Sequence, residues 1–461
     1  MGKGTEKELM EALHERFIVP FIGKTGCYAG VEFELPIYNI EGGPTDYKTV
    51  HGLTEAFIEK FGADDIRYDD DGYIYFAGSD ATGDTISFDC SYNTFEIAFG
   101  KEESLRSIGD RFNDYYEFAC EYLRRRGHTL VGMGINPGHK VNRREPVANG
   151  RYRMLLHHLE SYRNYPGVHE FHNAPHYGLM VCAAQTHIDA SSRDLVRDIR
   201  VYEKLEPLKG LLFANSPYDG GYLCVRDHFW RDSMHGFNPH NVDCWGDEIK
   251  TEEDIIGYIS RMSLFCTERE NKYINFKPVP VREYVAKESM TGEYYDGNEY
   301  RTIKFEPEIS DIDHLRSYKF ADLTFRGTIE LRSACMQPVY QAMSVPAFNL
   351  GVRARLDEFG KLLNSCPLYH YGYSPSELRK MSVMDELPDF MTGKGMSKLL
   401  LDTVDLAREG LVSRGFGEER YLEPLYDRAE QIMSPAREMT DGLRSGRDIS
   451  EYITRFSRLD L

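Results

Sequence analysis

Residues 30–36 read Gly-Val-Glu-Phe-Glu-Leu-Pro, and three later stretches alternate in the same way: Thr94–Gly100 (TFEIAFG), Leu179–Ala190 (LMVCAAQTHIDA) and Thr328–Arg332 (TIELR). In an extended strand, side chains two apart share a face. Glu32 and Glu34 therefore point one way, and Val31, Phe33 and Leu35 the other. Gln185, His187 and Asp189 share a face by the same rule, as do Glu330 and Arg332, while Glu96 faces away from Phe95, Ile97 and Phe99. Four such strands predict one sheet with an apolar face on the core and a concave face of ligand atoms. That surface suits divalent cations holding a triphosphate.

Around these strands the chain reads as a mixture. An opening helix is expected over about residues 5–17, and Tyr68–Ala77 and Asp80–Phe88 read as strands around tight turns. Glu102–Arg126 has helical spacing, with Leu105, Ile108, Phe112, Tyr116 and Cys120 near one face. A basic loop (Gly138–Pro146) precedes an expected helix at Arg151–Tyr162. Ser191–Tyr202 reads as a helix capped by Ser191 or Ser192. From residue 337 onward Leu, Met, Glu and Arg recur at helical spacing. No repeat or low-complexity linker divides the chain, so the expected fold class is α+β. Residues 1–336 form a catalytic region, and residues 337–461 a helical carboxy-terminal region packed on the same unit.

Composition narrows the function. With 461 residues, 41% hydrophobic and 13% aromatic, the chain can bury a large core. A net charge of −19 argues against a broad nucleic-acid surface, which needs clustered Lys and Arg. The nine cysteines form no CxxC pair, so a structural zinc site is not expected and free thiols in a reducing compartment are. No stretch approaches about 20 uninterrupted apolar residues, and the first 17 residues lack an apolar signal core. A soluble cytoplasmic protein is expected, without membrane partners, as a monomer or homodimer.

Gly23-Lys24-Thr25 is not a phosphate loop, because that motif needs Gly where Ile18 stands, and no GxGxxG is present. A nucleotide would have to be held in another way. Two glutamates two apart on one strand offer paired magnesium ligands; the alternative is a solvated strand face. Burying Gln185, His187 and Asp189 together is costly unless they are bonded or ligated, although a lone histidine is often structural. Glu330 and Arg332 pair an anion with a phosphate-binding fork, or else form a cross-strand ion pair. Arg151 and Arg153 could be phosphate or carboxylate contacts or surface charges, and Ala214–Pro217 (ANSP) reads as a structural turn.

Taken in order, the GVEFE and FEIA strands, GRYRM, CAAQTHID, LLFANSP, VRDHFW and HL followed by TIELR resemble glutamate–cysteine ligases of the plant and proteobacterial type. Those enzymes belong to the glutamine synthetase-like carboxylate–amine ligases. The tail (AREGLVSRGFGEERYLEPL, then SPAREM) is similar to the closing helices of that branch. The resemblance spans about residues 25–440. It implies a curved antiparallel sheet forming a cup, flanked by helices. It also implies ATP and Mg²⁺ as cofactors and glutamate and cysteine as substrates, joined through a γ-glutamyl phosphate in glutathione biosynthesis. Under it, Glu32, Glu34, Glu96, His187 and Glu330 are metal ligands, and Gln185, His187 and Arg332 meet the nucleotide. Arg332 and Arg151, the candidate catalytic residues, meet phosphate or the substrate carboxylate under the same resemblance, whereas Arg153, Arg226 and Arg231 are candidates for holding substrate that the sequence offers beside it.

Two departures bear on the substrates. SYNTFEIAF stands where the family has a GGQxELS-like stretch, and Trp230 leads into RDSMHGF rather than an Asp followed by RTG. Either Arg226 or Arg231 could take over the missing cationic contact; the alternative is that both are surface charges on a mobile loop. A ligase joining glutamate or another acidic amino acid to a different amine is therefore an alternative, as is a non-catalytic nucleotide-binding relative.

Overall fold

The four two-faced segments become four neighbouring strands. The computed structural model, which describes residues 5–165, 171, 172 and 174–460, contains a main sheet of nine strands. These are β1 (Ala29–Asn39), β2 (Asp65–Tyr68), β3 (Ile74–Gly78), β4 (Thr85–Ser87), β5 (Thr94–Glu102), β6 (His128–Leu130), β7 (Ala184–Asp189), β8 (Ala321–Leu323) and β9 (Thr328–Leu331). Their order is β8-β9-β7-β1-β5-β4-β3-β2, with β6 paired to the end of β1, and all pairs are antiparallel. The expected α+β class and antiparallel sheet are thus observed.

One face of this sheet is the core. Val31, Phe33 and Leu35 of β1, Phe95 and Ile97 of β5, Ile188 of β7 and Ile329 and Leu331 of β9 are fully buried. Helices cover them. Following α1 (Glu6–Phe17), α2 (Leu105–Arg124) starts at Ser104, whose hydroxyl accepts from the Arg106 N–H, and buries the expected stripe from Leu105 to Cys120. Its Phe112 ring packs 4.8 Å from that of Phe33. Further along come α3 (Gly150–Glu160), α4 (Leu195–Phe213), α5 (Val225–Arg231), α6 (Ser344–Ala354), α7 (Pro375–Ser382) and α8 (Gly393–Arg414). Past residue 336, α6 is tied to β7 through the Asn349 amide, which donates to the Thr186 hydroxyl at 3.0 Å. Two glycines bring α6 and α8 together: a β-carbon on Gly410 would sit 2.2 Å from the Gly351 carbonyl oxygen.

Two expectations are corrected. The helix expected from Ser191 begins at Leu195 after a single turn at Ser192–Asp194. It continues through Pro207 to Phe213, because nearly all of its later residues are buried by surrounding elements. A second antiparallel sheet (Ser263–Arg269, Lys272–Pro280, Met290–Tyr295 and Tyr300–Phe305) was not anticipated. Its first hairpin turns on Glu270 and Asn271, at φ 51° and 60°.

Candidate active site

Strand register builds the site row by row. Asp322, Glu330, His187 and Gly30 align across β8, β9, β7 and β1. One step along, Glu32 stands opposite Gln185, and at the next Glu34 of β1 stands opposite Glu96 of β5, which faces Ser87 of β4. Successive rows on a strand are about 6.7 Å apart. These side chains line one cavity of about 1170 Å³. Gly30 leaves room within it, since a β-carbon there would lie 3.6 Å from that of His187.

At the centre, Nε2 of His187 lies 2.8 Å from Oε1 of Glu32, and ligand atoms of Glu32, His187 and Glu330 all fall within 4.8 Å of one another. Burial works to raise the Glu32 carboxyl, but His187, Arg326 and Arg332 hold it down at about 2. Burial disfavours the charged His187 imidazole, yet Glu32 and Glu330 raise it above its ordinary value. Glu34 is different. It accepts from the Gln185 amide at 2.7 Å and the Ala183 N–H at 2.6 Å, but burial and then Asp89 push it up to about 8. Glu96, bonded to the Ser87 hydroxyl at 3.1 Å, is pushed well up by burial and by Glu32, Asp89 and Glu34.

This donor set fits a hard divalent cation. Magnesium takes oxygen ligands, and it would relieve carboxylates that burial forces together. Among the described residues the buried Oε1 of Gln185 has no hydrogen-bond partner, which leaves one more oxygen for a cation or its water.

Cations flank the carboxylates. Arg332 donates to the Ser317 carbonyl at 3.0 Å and lies 3.4 Å from Glu330 and 3.6 Å from Asp322, whose carboxyl burial raises to about 6. At the Asp189 end, Lys24 and Lys101 each place Nζ 2.9 Å from that carboxylate. At the other end lie Asp89, Arg151, Tyr152, Tyr177, Trp230 and His235. Arg226 is fully buried there, donating to the carbonyls of Arg332 and Ala334 at 3.2 Å, with its guanidinium 4.8 Å from the Trp230 ring. Asn215, in the turn read as structural, donates to the carbonyls of Gly132 and Met336.

Two arginines named from the sequence lie outside this cavity. Arg153 pairs with Asp70, because two residues on a helix differ by 200° and only Arg151 faces inward. Arg231 follows Arg226 by five residues, or about 140° around α5. It pairs with Asp243 at 3.5 Å and lines a separate surface pocket. The segment after Trp230 is not a loose substitute for the absent RTG. His235 stacks on Tyr318 at 3.7 Å and its Nδ1 contacts the Tyr177 hydroxyl.

Sequence reasoning missed Asp89, Asp322, Lys24, Lys101, Arg326 and His235. Asp322 was findable only through the pairing of Ala321–Leu323 with TIEL. In the sequence Lys24 stands only beside a glycine that resembles part of a phosphate loop. In the structure it also donates to the carbonyls of Arg326 and Gly327.

The fold and site define a protein class in which one face of an antiparallel sheet lines a cavity with carboxylates and a histidine flanked by arginines. Within it, residues 29–456 match glutamate-cysteine ligase family 2 (GCS2), and the chain belongs to that family. It is 24% identical over 368 residues to the chloroplastic glutamate–cysteine ligase of Arabidopsis thaliana, covering 75% of this chain and 64% of that protein. Against the chloroplastic glutamate–cysteine ligase of Nicotiana tabacum it is 22% identical over 415 residues, covering 86% and 72%. The chain thus spans a little under two thirds of the length of the Arabidopsis relative. A crystal structure of glutamate–cysteine ligase from Francisella tularensis in complex with AMP aligns with a TM-score of 0.46 at 11% identity, covering 95% of this chain and 88% of that one. The expected cytoplasmic placement is corrected by the curated relatives, which are named as chloroplastic proteins.

Proposed function

We propose that this protein is an ATP- and Mg²⁺-dependent carboxylate–amine ligase that joins the γ-carboxylate of glutamate to the amine of cysteine. The observation that carries this reading is the convergence of Glu32, His187 and Glu330 beside Arg332 within a cavity large enough for more than one substrate. Glu32, Glu34, Glu96 and Glu330, with His187, would hold the metal, which supplies Lewis-acid neutralisation of the phosphate oxygens when bound. Lys24, Lys101 and Arg326 offer cations to the polyphosphate. Arg332 stabilises charge on the phosphoryl group in flight, and the γ-carboxylate becomes a γ-glutamyl phosphate, from which the amine then displaces phosphate. Arg226 and Trp230 form one wall for the acidic substrate, and Arg151 faces the cavity from α3. The helices beyond residue 336 belong, in this reading, to the same catalytic unit.

The wall formed by His235, Tyr318 and Tyr177 favours a second reading, in which the acid is glutamate and the amine is not cysteine. Phosphate release from ATP with glutamate, measured across a panel of amines, separates the two. Release with cysteine alone supports the first reading, and release with another amine the second. No release with any amine despite nucleotide binding rejects both and leaves a binding protein.

A further inference from the structure

Phe325 lines the cavity, yet at 62% exposure it is the most exposed large apolar side chain among the described residues. A lone exposed ring is ordinary on a protein surface and by itself marks nothing. This one is held in place. It stands in the turn between β8 and β9, where the Thr324 N–H donates to the Thr328 carbonyl at 3.0 Å and the Gly327 N–H to the Thr324 carbonyl at 2.9 Å. The hydroxyls of Thr324 and Thr328 bond each other at 2.7 Å. Gly327 takes φ 69°, and a β-carbon there would lie 2.0 Å from the Pro20 carbonyl oxygen, so the turn is packed onto the segment after α1. Lys24 then ties the carbonyls of Arg326 and Gly327 to the Asp189 carboxylate.

Cations surround the ring. The Arg16 guanidinium lies 5.8 Å from its centre and 5.7 Å from that of Phe17, and Asp313 holds this guanidinium through both carboxylate and carbonyl. Arg326 lies 5.5 Å from the Phe325 ring and brings Nη2 to 3.4 Å from Nδ1 of His187. An open aromatic surface thus stands one residue from a cation that reaches the carboxylate–histidine centre. The two lysines on Asp189 line the same end of the cavity.

A nucleotide has the matching order of parts, a flat aromatic base followed by phosphates. On the ligase reading above, we propose that Phe325 is the surface on which the nucleotide's purine base stacks, while Arg326, Lys24 and Lys101 meet the phosphates. A ring face takes a base without offering any hydrogen-bonding group, and a ring fixed beforehand loses little freedom on contact. Arg16, touching Phe17 and Phe325 together, braces the ring in that position.

Base and phosphates can be tested apart. Wild type, Phe325→Ala and Phe325→Tyr are titrated by calorimetry with ATP and with inorganic tripolyphosphate, each in the presence of Mg²⁺. Phe325→Ala should weaken ATP binding about tenfold or more and tripolyphosphate binding less than about twofold, and Phe325→Tyr should restore ATP affinity to within about threefold of wild type. Retained tripolyphosphate binding also shows that the alanine variant is folded. Phe325→Trp gives a second readout, taken as the difference from wild type because Trp230 and Trp245 line the cavity too. Its added emission should be quenched by ATP and by AMP but not by tripolyphosphate. ATP affinity within about twofold of wild type in Phe325→Ala overturns the proposal, as do equal losses for the two ligands or an added emission that saturating ATP leaves unchanged. If wild type binds neither ligand, the ligase reading falls and this inference with it, whereas ATP binding that ignores Phe325 overturns the inference alone.

Discussion

Glu34 of β1 and Glu96 of β5 stand directly opposite one another in antiparallel register, both facing the cavity. Like charges so placed destabilise a sheet. With the Glu34 carboxyl raised to about 8 against an unfolded value of 4.5, the folded chain keeps a proton that the unfolded chain gives up. Stability is then fully present below about pH 4.5 for this group and is lost as pH rises toward 8.

The metal-free protein should therefore show a melting temperature that falls between about pH 5 and pH 8. Glu34→Gln should flatten this slope, and Mg²⁺ should raise the melting temperature more at pH 8 than at pH 5.5. Thermal scans of both proteins over that range, with and without Mg²⁺, check this. An identical slope in the variant would remove Glu34 as the cause.

The Glu32 carboxylate and Glu330 present charge at the proposed metal centre, and a carboxamide keeps their shape while removing that charge. Glu32→Gln and Glu330→Gln should each lower turnover by roughly 100-fold or more at saturating Mg²⁺, with melting temperatures near wild type. Steady-state phosphate release and thermal unfolding measure the two sides. Near-normal turnover in both variants would reduce the centre to an ion-pair network.

The sheet was legible because its signal is local. Alternation in GVEFELP, TFEIAFG, AQTHID and TIELR alone determines which side chains share a face, and all four segments pair in one sheet. What failed needed information that lies elsewhere in the chain. The hairpin at Glu270-Asn271 lacks the Asn-Gly or Asp-Gly pair that usually marks two residues at positive φ. Arg153 and Arg231 were grouped with Arg151 and Arg226 by proximity in sequence, whereas helix rotation decides which of them faces the cavity. Asp89 follows the short strand β4, where the bend at Cys90 interrupts any alternation that could have marked it.

Arg226 and Arg231 give a paired kinetic prediction. Arg226 is buried against Trp230 and holds the backbone that carries Arg332, so Lys can replace its charge but not its fork of donors. Arg226→Lys should raise KM for the acidic substrate at least about tenfold more than KM for ATP and lower the melting temperature. Arg231→Lys, outside the cavity, should leave both constants within about twofold. Equal effects of the two substitutions would contradict the placement of Arg226 in the substrate wall.

Behind that wall, Arg379 of α7 is fully buried among Asp227 of α5 and Glu206 of α4, with Lys209 completing a set of two cations and two anions. Its Nε donates to Asp227 at 2.7 Å, and its Nη2 donates to the Ser333 carbonyl, next to the residue whose carbonyl Arg226 also holds. Truncating one member leaves a charge uncompensated inside the protein, whereas replacing a pair by apolar side chains of similar volume removes both charges together. Asp227→Ala should therefore cost about 3–5 kcal/mol in urea unfolding, while Asp227→Leu combined with Arg379→Met should recover most of that loss. The double variant should still show reduced turnover, because the Ser333 carbonyl loses a donor beside Arg332. If Asp227→Ala unfolds within about 0.5 kcal/mol of wild type, which is the range of ordinary surface changes, the network carries no net stability. If the double variant is no more stable than Asp227→Ala, the packing of these helices rather than charge balance is what the substitution disturbs.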